Sequence, residues 1–171
     1  MNKPLYRIFA VVIAFALTFG LFANARPVQA KDKNLPSIVE IALDVNAKTG
    51  EFSTLIAALQ YADLVDALNA KRKLTVFAPT DAAFAKLGLN AGNIDTLSKS
   101  DLTNILLYHV SAGERTAEKV IKKDKLKMLN KGTALIEVNS NGAFIDGAKI
   151  IQTDNMARNG VVHIIDTVMM P

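Results

Sequence analysis

The chain has 171 residues, of which 50% are hydrophobic and 21% are charged, and its formal net charge is +4. This length suits one ordinary domain and is short for two. Cysteine is absent, which excludes a disulfide framework, a thiolate metal site and a cysteine nucleophile.

The first thirty residues have the pattern of an export signal. Two basic residues precede an uncharged, mainly apolar run at 8–23, and small-residue cleavage patterns end at Ala25 and Ala30. We predict a signal peptide over 1–30 that is cleaved after Ala30, with cleavage after Ala25 as the alternative. The competing interpretation is an uncleaved anchor, but a membrane span needs roughly 20 apolar residues. We therefore expect a secreted or periplasmic protein without stable membrane insertion after cleavage.

Cleavage changes the charge balance. The whole chain has 20 basic and 16 acidic residues, and three of the basic residues but none of the acidic ones lie in 1–30. The mature chain therefore carries a net charge of +1, which gives no indication of a nucleic-acid partner. Residues 31–36 are predicted to form a polar lead-in, and 37–171 a single domain.

Helix signals come first along the mature chain. Ser37 and Glu40 have the spacing of a capping box, which predicts a helix that continues to about Val45. An apolar stripe with i, i+3, i+4, i+7 spacing predicts a second helix near Ser53. Asp63 is predicted to cap one further short turn of helix. The stripe consists of Phe52, Leu55, Ile56 and Leu59.

A short strand and three more helices follow. Residues 74–77 form a β-type apolar run that ends at Pro79. Thr80 and Asp81 are the two candidates for the cap of the next helix, so this strand-to-helix corner is expected to be structural. Ser100 is predicted to open another helix, and a third short helix is predicted over 116–122.

Strand signals dominate the last third of the chain. From about residue 126 the apolar runs are short and β-branched, and turn signals separate them. The final run, 161–168, is apolar at both parities, as expected for a strand that is covered on both faces. The pattern predicts an α+β fold with segregated helices and strands. The turn signals are Asn130-Lys131-Gly132, Asn141-Gly142, Asp146-Gly147 and Asn159-Gly160.

Three segments carry a family resemblance. They are LTVFAPTDAAF at 74–84, the pair Tyr108-His109, and NGVVHIID at 159–166, which runs on to Pro171. In this order and spacing they resemble the FAS1 (fasciclin-like) domain over about residues 35–171, as in a bacterial-type secreted member with one domain. The resemblance implies a wedge of about seven β-strands flanked by several short α-helices.

The resemblance also implies a usually extracellular, non-catalytic adhesion or interaction module. We therefore expect a partner that is a cell-surface or matrix protein or polysaccharide, and neither a cofactor nor enzymatic activity. The alternative is a periplasmic binding module for a small apolar or lipid-like ligand, which a sizeable dry cavity would favour. An enzyme would be indicated by a cleft with converging carboxylates or histidines.

Tyr108 and His109 are candidate partner-binding residues. His109 follows Leu102 by seven residues and so joins the apolar helix face, where a core histidine with one hydrogen bond is the competing interpretation. Tyr108 is expected to be half-buried with its hydroxyl in water. In animal members of the family this region is linked to receptor binding. No metal site is predicted, because the chain has two histidines and no obvious third ligand.

The closing motif contains a second set of candidates. His163 is expected to be a buried, hydrogen-bonded histidine, and Asp166 lies on the opposite strand face, so the two form no simple dyad. Asp154 and Met156 match a family segment with proposed integrin-binding residues, and a solvated loop is the competing interpretation. The lysines in 119–131 indicate a solvated face or, alternatively, a patch for acidic polysaccharide or another anionic surface.

Overall fold

A computed structural model describes residues 34–171. The predicted signal peptide, its cleavage sites and residues 31–33 of the lead-in lie outside the described residues. The described part forms six α-helices, one short 3-10 helix and seven strands. The helices are α1 (Ile38–Thr49), α2 (Ser53–Tyr61), α3 (Val65–Leu68), α4 (Asp81–Ala85), α5 (Lys99–Tyr108) and α6 (Ala117–Ile121), and the 3-10 helix is Ile94–Thr96. The strands are β1 (Leu74–Pro79), β2 (Val110–Ala112), β3 (Lys125–Lys127), β4 (Thr133–Asn139), β5 (Gly142–Ile145), β6 (Ala148–Ala157) and β7 (Gly160–Ile165).

The seven strands form one strongly curled sheet. Their order is β2-β1-β7-β6-β5-β4-β3, and β1 pairs with β7 in parallel while every other neighbouring pair is antiparallel. The two ends of this order approach each other, since Ser111 forms an isolated bridge with Met128. The sheet is therefore nearly closed. The predicted α+β class and the expectation of about seven strands are confirmed.

Strands β1 and β7 lie at the centre of the molecule. Every residue of both strands is buried. Val76 and Val162 belong to a core shared with helices α1, α2 and α5, whereas Phe77 and Ile165 belong to a second core inside the curled sheet. The prediction that the last strand is covered on both faces is confirmed.

The first helix begins as its sequence predicts. The Ser37 hydroxyl accepts from the Glu40 amide at 3.2 Å, and the Glu40 carboxylate accepts from the Ser37 amide at 2.6 Å. The capping box is therefore confirmed. The helix continues to Thr49, four residues beyond the predicted end at Val45, because the left-handed residue that ends it is Gly50, with φ 73°.

Two predicted helix starts were wrong. Asp63 does not cap α3, because its own backbone is left-handed with φ 55° and the helix starts after Leu64 without a side-chain cap. Helix α5 starts at Lys99 with Ser98 as its cap, since the Ser98 hydroxyl accepts from the Asp101 amide at 3.1 Å. The predicted start at Ser100 is therefore one residue late, and the cap is Ser98.

Candidate functional site

The corner after β1 connects three elements. Pro79 closes β1 opposite Ile165 of β7. The Thr80 hydroxyl accepts from the Ala83 amide at 3.3 Å and so caps α4. The Asp81 carboxylate instead accepts from the first two amides of α2, those of Ser53 at 3.1 Å and Thr54 at 2.8 Å.

Both candidates at this corner are thus caps, but of different helices. Thr80 caps the helix that follows it, and Asp81 caps a helix that lies 27 residues earlier in the chain. Helix α2 has no cap of its own, since Phe52 precedes it. Both residues of the corner therefore serve as helix caps, and Asp81 ties α2 to the end of β1.

Tyr108 is buried, with 6% of its surface exposed. Its hydroxyl donates to the Asp146 carboxylate and lies 3.2 Å from the Thr133 carbonyl oxygen. Burial and the neighbouring carboxylate raise the pKa of Tyr108 to about 12. The expectation of a half-buried ring with its hydroxyl in water was wrong, because the turn between β5 and β6 places Asp146 over the phenol.

His109 is a core histidine with two hydrogen bonds rather than one. The Met169 amide donates to its Nε2 atom at 3.0 Å, so the proton is on Nδ1, which lies 2.8 Å from the Ile105 carbonyl oxygen. Burial lowers the pKa of His109 to about 4. The ring therefore stays neutral and joins the end of α5 to the C-terminal segment.

His163 is also buried and hydrogen-bonded, as the sequence predicts. Its Nδ1 atom accepts from the Asp154 amide at 3.3 Å, and its Nε2 atom lies 2.9 Å from the Arg115 carbonyl oxygen. Burial lowers the pKa of His163. The ring also stacks on Phe77 with 5.4 Å between ring centroids.

Asp166 serves a different part of the sheet. Its carboxylate accepts from the Lys149 amide at 2.9 Å and from the Thr167 hydroxyl at 3.0 Å. His163 has other partners, so the expectation that His163 and Asp166 form no dyad is confirmed. Asp166 joins the end of β7 to the start of β6.

Asp154 lies in a distorted part of β6, so this segment belongs to a strand and not to the loop of the competing interpretation. The β6–β7 register shifts between Gln152 and Asn155, and Asp154 has a left-handed φ of 60°. Its carboxylate accepts from the Ala117 amide at 2.8 Å, which is the first amide of α6. Strand β7 continues beneath the bulge, and the His163 ring of β7 supports the bulge through its hydrogen bond from the Asp154 amide.

The outer edge of the same strand is exposed. Strand β5 pairs with β6 only through Phe144–Lys149 and Ile145–Ala148. In the described part of the chain, residues 151–156 of β6 therefore pair with β7 alone. Met156 is 37% exposed and Ile151 is 53% exposed on this segment. We call residues 151–156 the β6 edge.

Comparison with known proteins places this geometry in a family. A family model described as the Fasciclin domain matches residues 50–171. The chain belongs to the Fasciclin domain family. Protein sll1483 of Synechocystis sp. is 40% identical to it over an alignment of 148 residues, and the alignment covers 84% of this chain and 78% of that protein.

Two further similarities connect this Fasciclin domain to larger proteins. The transforming growth factor-beta-induced protein ig-h3 of Sus scrofa is 36% identical over an alignment of 148 residues, and the alignment covers 82% of this chain and 20% of that protein. A solved FAS1 domain pair from the insect cell adhesion molecule Fasciclin I aligns with 77% of this chain and 44% of that chain. The sequence identity there is 21% and the TM-score is 0.48.

The sequence did not reveal the structural role of one buried side chain in this Fasciclin domain. Asn159 is 4% exposed; its Oδ1 atom accepts from the Ile38 amide at 3.0 Å, and its Nδ2 atom donates to the Leu68 carbonyl at 2.6 Å. The side chain thus joins α1 and α3 to the start of β7. The sequence signal at this position, Asn-Gly, indicates only a turn.

The enclosed cavity among the described residues gives little support to the ligand-carrier alternative. The enclosed apolar cavity between the helices and the sheet, beside Leu59 and Leu106, has a volume of about 20 Å³. This is about the space of one water molecule.

Among residues 34–171 no group of three or more histidine, aspartate or glutamate side chains could hold a metal ion. None of the helices in this range is long and apolar enough to cross a membrane.

Proposed function

We propose that this Fasciclin domain is an exported, non-catalytic adhesion or interaction module that binds a cell-surface or extracellular-matrix protein or polysaccharide. Membership of a family known in adhesion and extracellular proteins supports this function. The export pattern of residues 1–30 supports the location.

The observation that carries the proposal is the β6 edge. It combines exposed apolar side chains with a backbone that the protein holds in place from below, through the Asp154–His163 hydrogen bond and the cap on α6. A preorganised exposed segment loses little conformational entropy when it binds a partner. We propose that Asp154 and Met156 contact the partner directly.

Tyr108 and His109 are proposed to support the binding surface without contacting the partner. Both side chains are buried, at 6% and 3% exposure, and their polar atoms are used inside the domain. We propose that they hold α5 and the C-terminal segment in place rather than touch the partner. Substituting either residue would then change binding only through a loss of folding stability.

The direct test is retention of cell-envelope and matrix material by the immobilised full chain and two variants. Met156→Ser removes an exposed apolar side chain from the β6 edge. Leu87→Ser is the matched control, since Leu87 is 46% exposed but lies after α4. Truncation of an apolar contact residue typically weakens binding by roughly 5- to 30-fold. We expect this loss for Met156→Ser and wild-type retention for Leu87→Ser.

One outcome would count against this function, and another would count against its assignment to the β6 edge. If the wild-type protein retains no envelope or matrix component, the adhesion proposal is wrong. If the wild-type protein retains such material but Met156→Ser and an additional Asp154→Asn variant retain as much as the wild type, the module binds through a surface other than the β6 edge.

A further inference from the structure

The charge of this domain is unevenly distributed. Residues 34–171 contain 15 basic and 15 acidic residues and so have no net charge. Residues 118–131, which we call the basic segment, contain six lysines and two acidic residues, a net charge of +4. The remainder of the described domain therefore carries −4. A neutral domain thus presents one strongly positive region, which favours anionic partners there.

The basic segment spans α6, β3 and the turn into β4, and its lysines are exposed. Lys125 and Lys127 share the outer face of β3, because the residue between them, Leu126, points into the core and is 2% exposed. Within the described chain, the ion pairs of the segment are limited to that between Lys122 and Glu118. The other lysines are thus available to a ligand. They are Lys119, Lys123, Lys125, Lys127 and Lys131.

A shallow, open cleft adjoins the basic segment. It has a volume of about 670 Å³ and lies between one face of α5 and the turn after β3. The Asn130 side-chain Nδ2 atom donates to the Asn104 side-chain Oδ1 atom at 3.0 Å across it, and the Leu129 backbone amide donates to the Val110 carbonyl oxygen at 2.8 Å. Its walls carry hydroxyl, amide and ammonium groups with two leucines. The lining residues are Lys99, Ser100, Thr103, Asn104, Leu107, Leu129, Asn130 and Lys131.

Lys131 belongs to both features, so the cleft and the basic segment form one continuous surface. It sits at the tip of the turn with a left-handed φ of 76°. Its amide donates to the Met128 carbonyl at 3.1 Å, and the Met128 amide donates to the Gly132 carbonyl at 2.9 Å. The turn is therefore hydrogen-bonded internally and presents the Lys131 ammonium at a defined place beside the cleft.

We propose that this surface binds an acidic polysaccharide, with sugar units in the cleft and carboxylate or sulfate groups on the lysines. Amide and hydroxyl side chains pair with sugar hydroxyls, the leucines pack on the apolar faces of sugar rings, and ammonium groups attract the anions. The cleft has no aromatic side chain on which a nucleic-acid base could stack. This proposal rests on the proposed adhesion function and names the chemical class of its partner.

The test measures binding of the full chain to heparin, a polysaccharide with carboxylate and sulfate groups. The comparison probes are neutral dextran, polyglutamate and vesicles of phosphatidylserine and phosphatidylcholine. The variant Lys125→Gln/Lys127→Gln/Lys131→Gln removes three charges from the surface. The control variant Lys48→Gln/Lys71→Gln/Lys149→Gln removes three charges elsewhere. Circular dichroism checks that both variants are folded.

We expect the wild-type protein to bind heparin more tightly than any of the comparison probes. The variant in the basic segment should bind heparin roughly tenfold more weakly, and the control variant within about twofold of wild type. Raising the salt concentration from 0.05 M to 0.5 M should weaken binding strongly, because salt screens exposed charges. Asn104→Ala, which removes a cleft amide, should weaken binding to heparin and leave binding to polyglutamate unchanged.

Three results would overturn the proposal. Equal losses for the two triple variants would show that the effect is one of overall charge. Vesicles bound as tightly as heparin would assign the surface to membranes. Equal binding of heparin and polyglutamate, unaffected by Asn104→Ala, would show a general anion surface. Each result is independent of the envelope-retention experiment. If the wild-type protein retains envelope material but gives any of these three results with heparin, the adhesion proposal stands and the proposal of a polysaccharide site is wrong.

Discussion

The two histidines of the described domain are both internal, and they use opposite ring nitrogens as acceptors. His109 accepts on Nε2 from the Met169 amide, and His163 accepts on Nδ1 from the Asp154 amide. Protonation of either ring removes the acceptor and so breaks that bond. At the level of single residues, acid therefore acts on the C-terminal segment and on the bulge of the β6 edge.

This arrangement predicts a loss of stability in mild acid. Burial lowers the pKa of His109 from about 6.5 to about 4, so the unfolded chain takes up a proton below pH 6.5 while the folded chain does not. The free energy of unfolding should fall by roughly 3 kcal/mol between pH 7 and pH 4 from His109. His163 adds to this in the same direction. Urea unfolding across this range measures the effect.

The control for the acid effect is His109→Gln. Its free energy of unfolding should be lower at pH 7, and it should change less between pH 7 and pH 4 than that of the wild type. An identical pH dependence in the two proteins would mean that His109 is not the titrating group.

Asp81 supports a second prediction at the residue scale. Because its carboxylate accepts from two amides of α2, Asp81→Ala should lower the free energy of unfolding by about 0.5–2 kcal/mol. Asp81→Asn keeps one acceptor oxygen and should lose less. Asp66→Ala, on the exposed side of α3, serves as the control and should stay within about 0.5 kcal/mol of wild type. Thermal unfolding that is unchanged in Asp81→Ala would rule out this cap.

At the scale of elements, the start of β7 lies very close to β1. Gly160 has φ 153°, and a Cβ atom on it would lie 1.9 Å from the Leu74 carbonyl oxygen. No side chain fits there without moving one of the two central strands. The glycine of the Asn159-Gly160 pair is therefore required by strand packing as well as by the turn.

Two glycine variants separate these effects. Gly160→Ala should cost more than about 3 kcal/mol of unfolding free energy or prevent folding, because the contact is with backbone. Gly147→Ala is the control: Gly147 also has a left-handed φ of 76°, but nothing lies within 4 Å of its added Cβ. It should cost about 1 kcal/mol. Similar losses in the two variants would contradict the close approach at β1.

Helices, strands and turns could be predicted from the sequence where they depend on interactions between residues that are close along the chain. The Asp146-Gly147 pair forms the two-residue turn between β5 and β6, with left-handed φ angles of 46° and 76°. The caps supplied by Asp81 to α2 and by Asp154 to α6 could not be predicted this way. These carboxylates lie far along the chain from the amides that they bind, so only the folded sheet brings them together.

The candidate binding residues also depend on contacts between distant parts of the chain. Sequence reasoning identified Asp154, Met156, Tyr108 and His109 as one group of candidates, but the fold exposes the first two and buries the last two. The burial of Tyr108 depends on Asp146, which arrives from the hairpin of β5 and β6. Burial that is created by a later element leaves no trace in the helix pattern around Tyr108.

At the scale of the whole molecule, the domain presents two separate surfaces to a partner. The β6 edge is exposed and apolar, with Asp154 held in its bulge, while the basic segment and its cleft lie where the ends of the curled sheet meet. The nearly closed sheet with its two cores supports both surfaces. The proposed adhesion function needs little internal motion, because the β6 edge already has a fixed conformation before a partner binds.

The most direct measurement of the adhesion function is amide hydrogen exchange of the full chain with and without isolated cell-envelope and matrix material. We predict added protection at 151–156, while the core amides beside His109 and His163 exchange as before. The absence of any added protection, or protection confined to surfaces away from both the β6 edge and the basic segment, would contradict the function proposed for this domain.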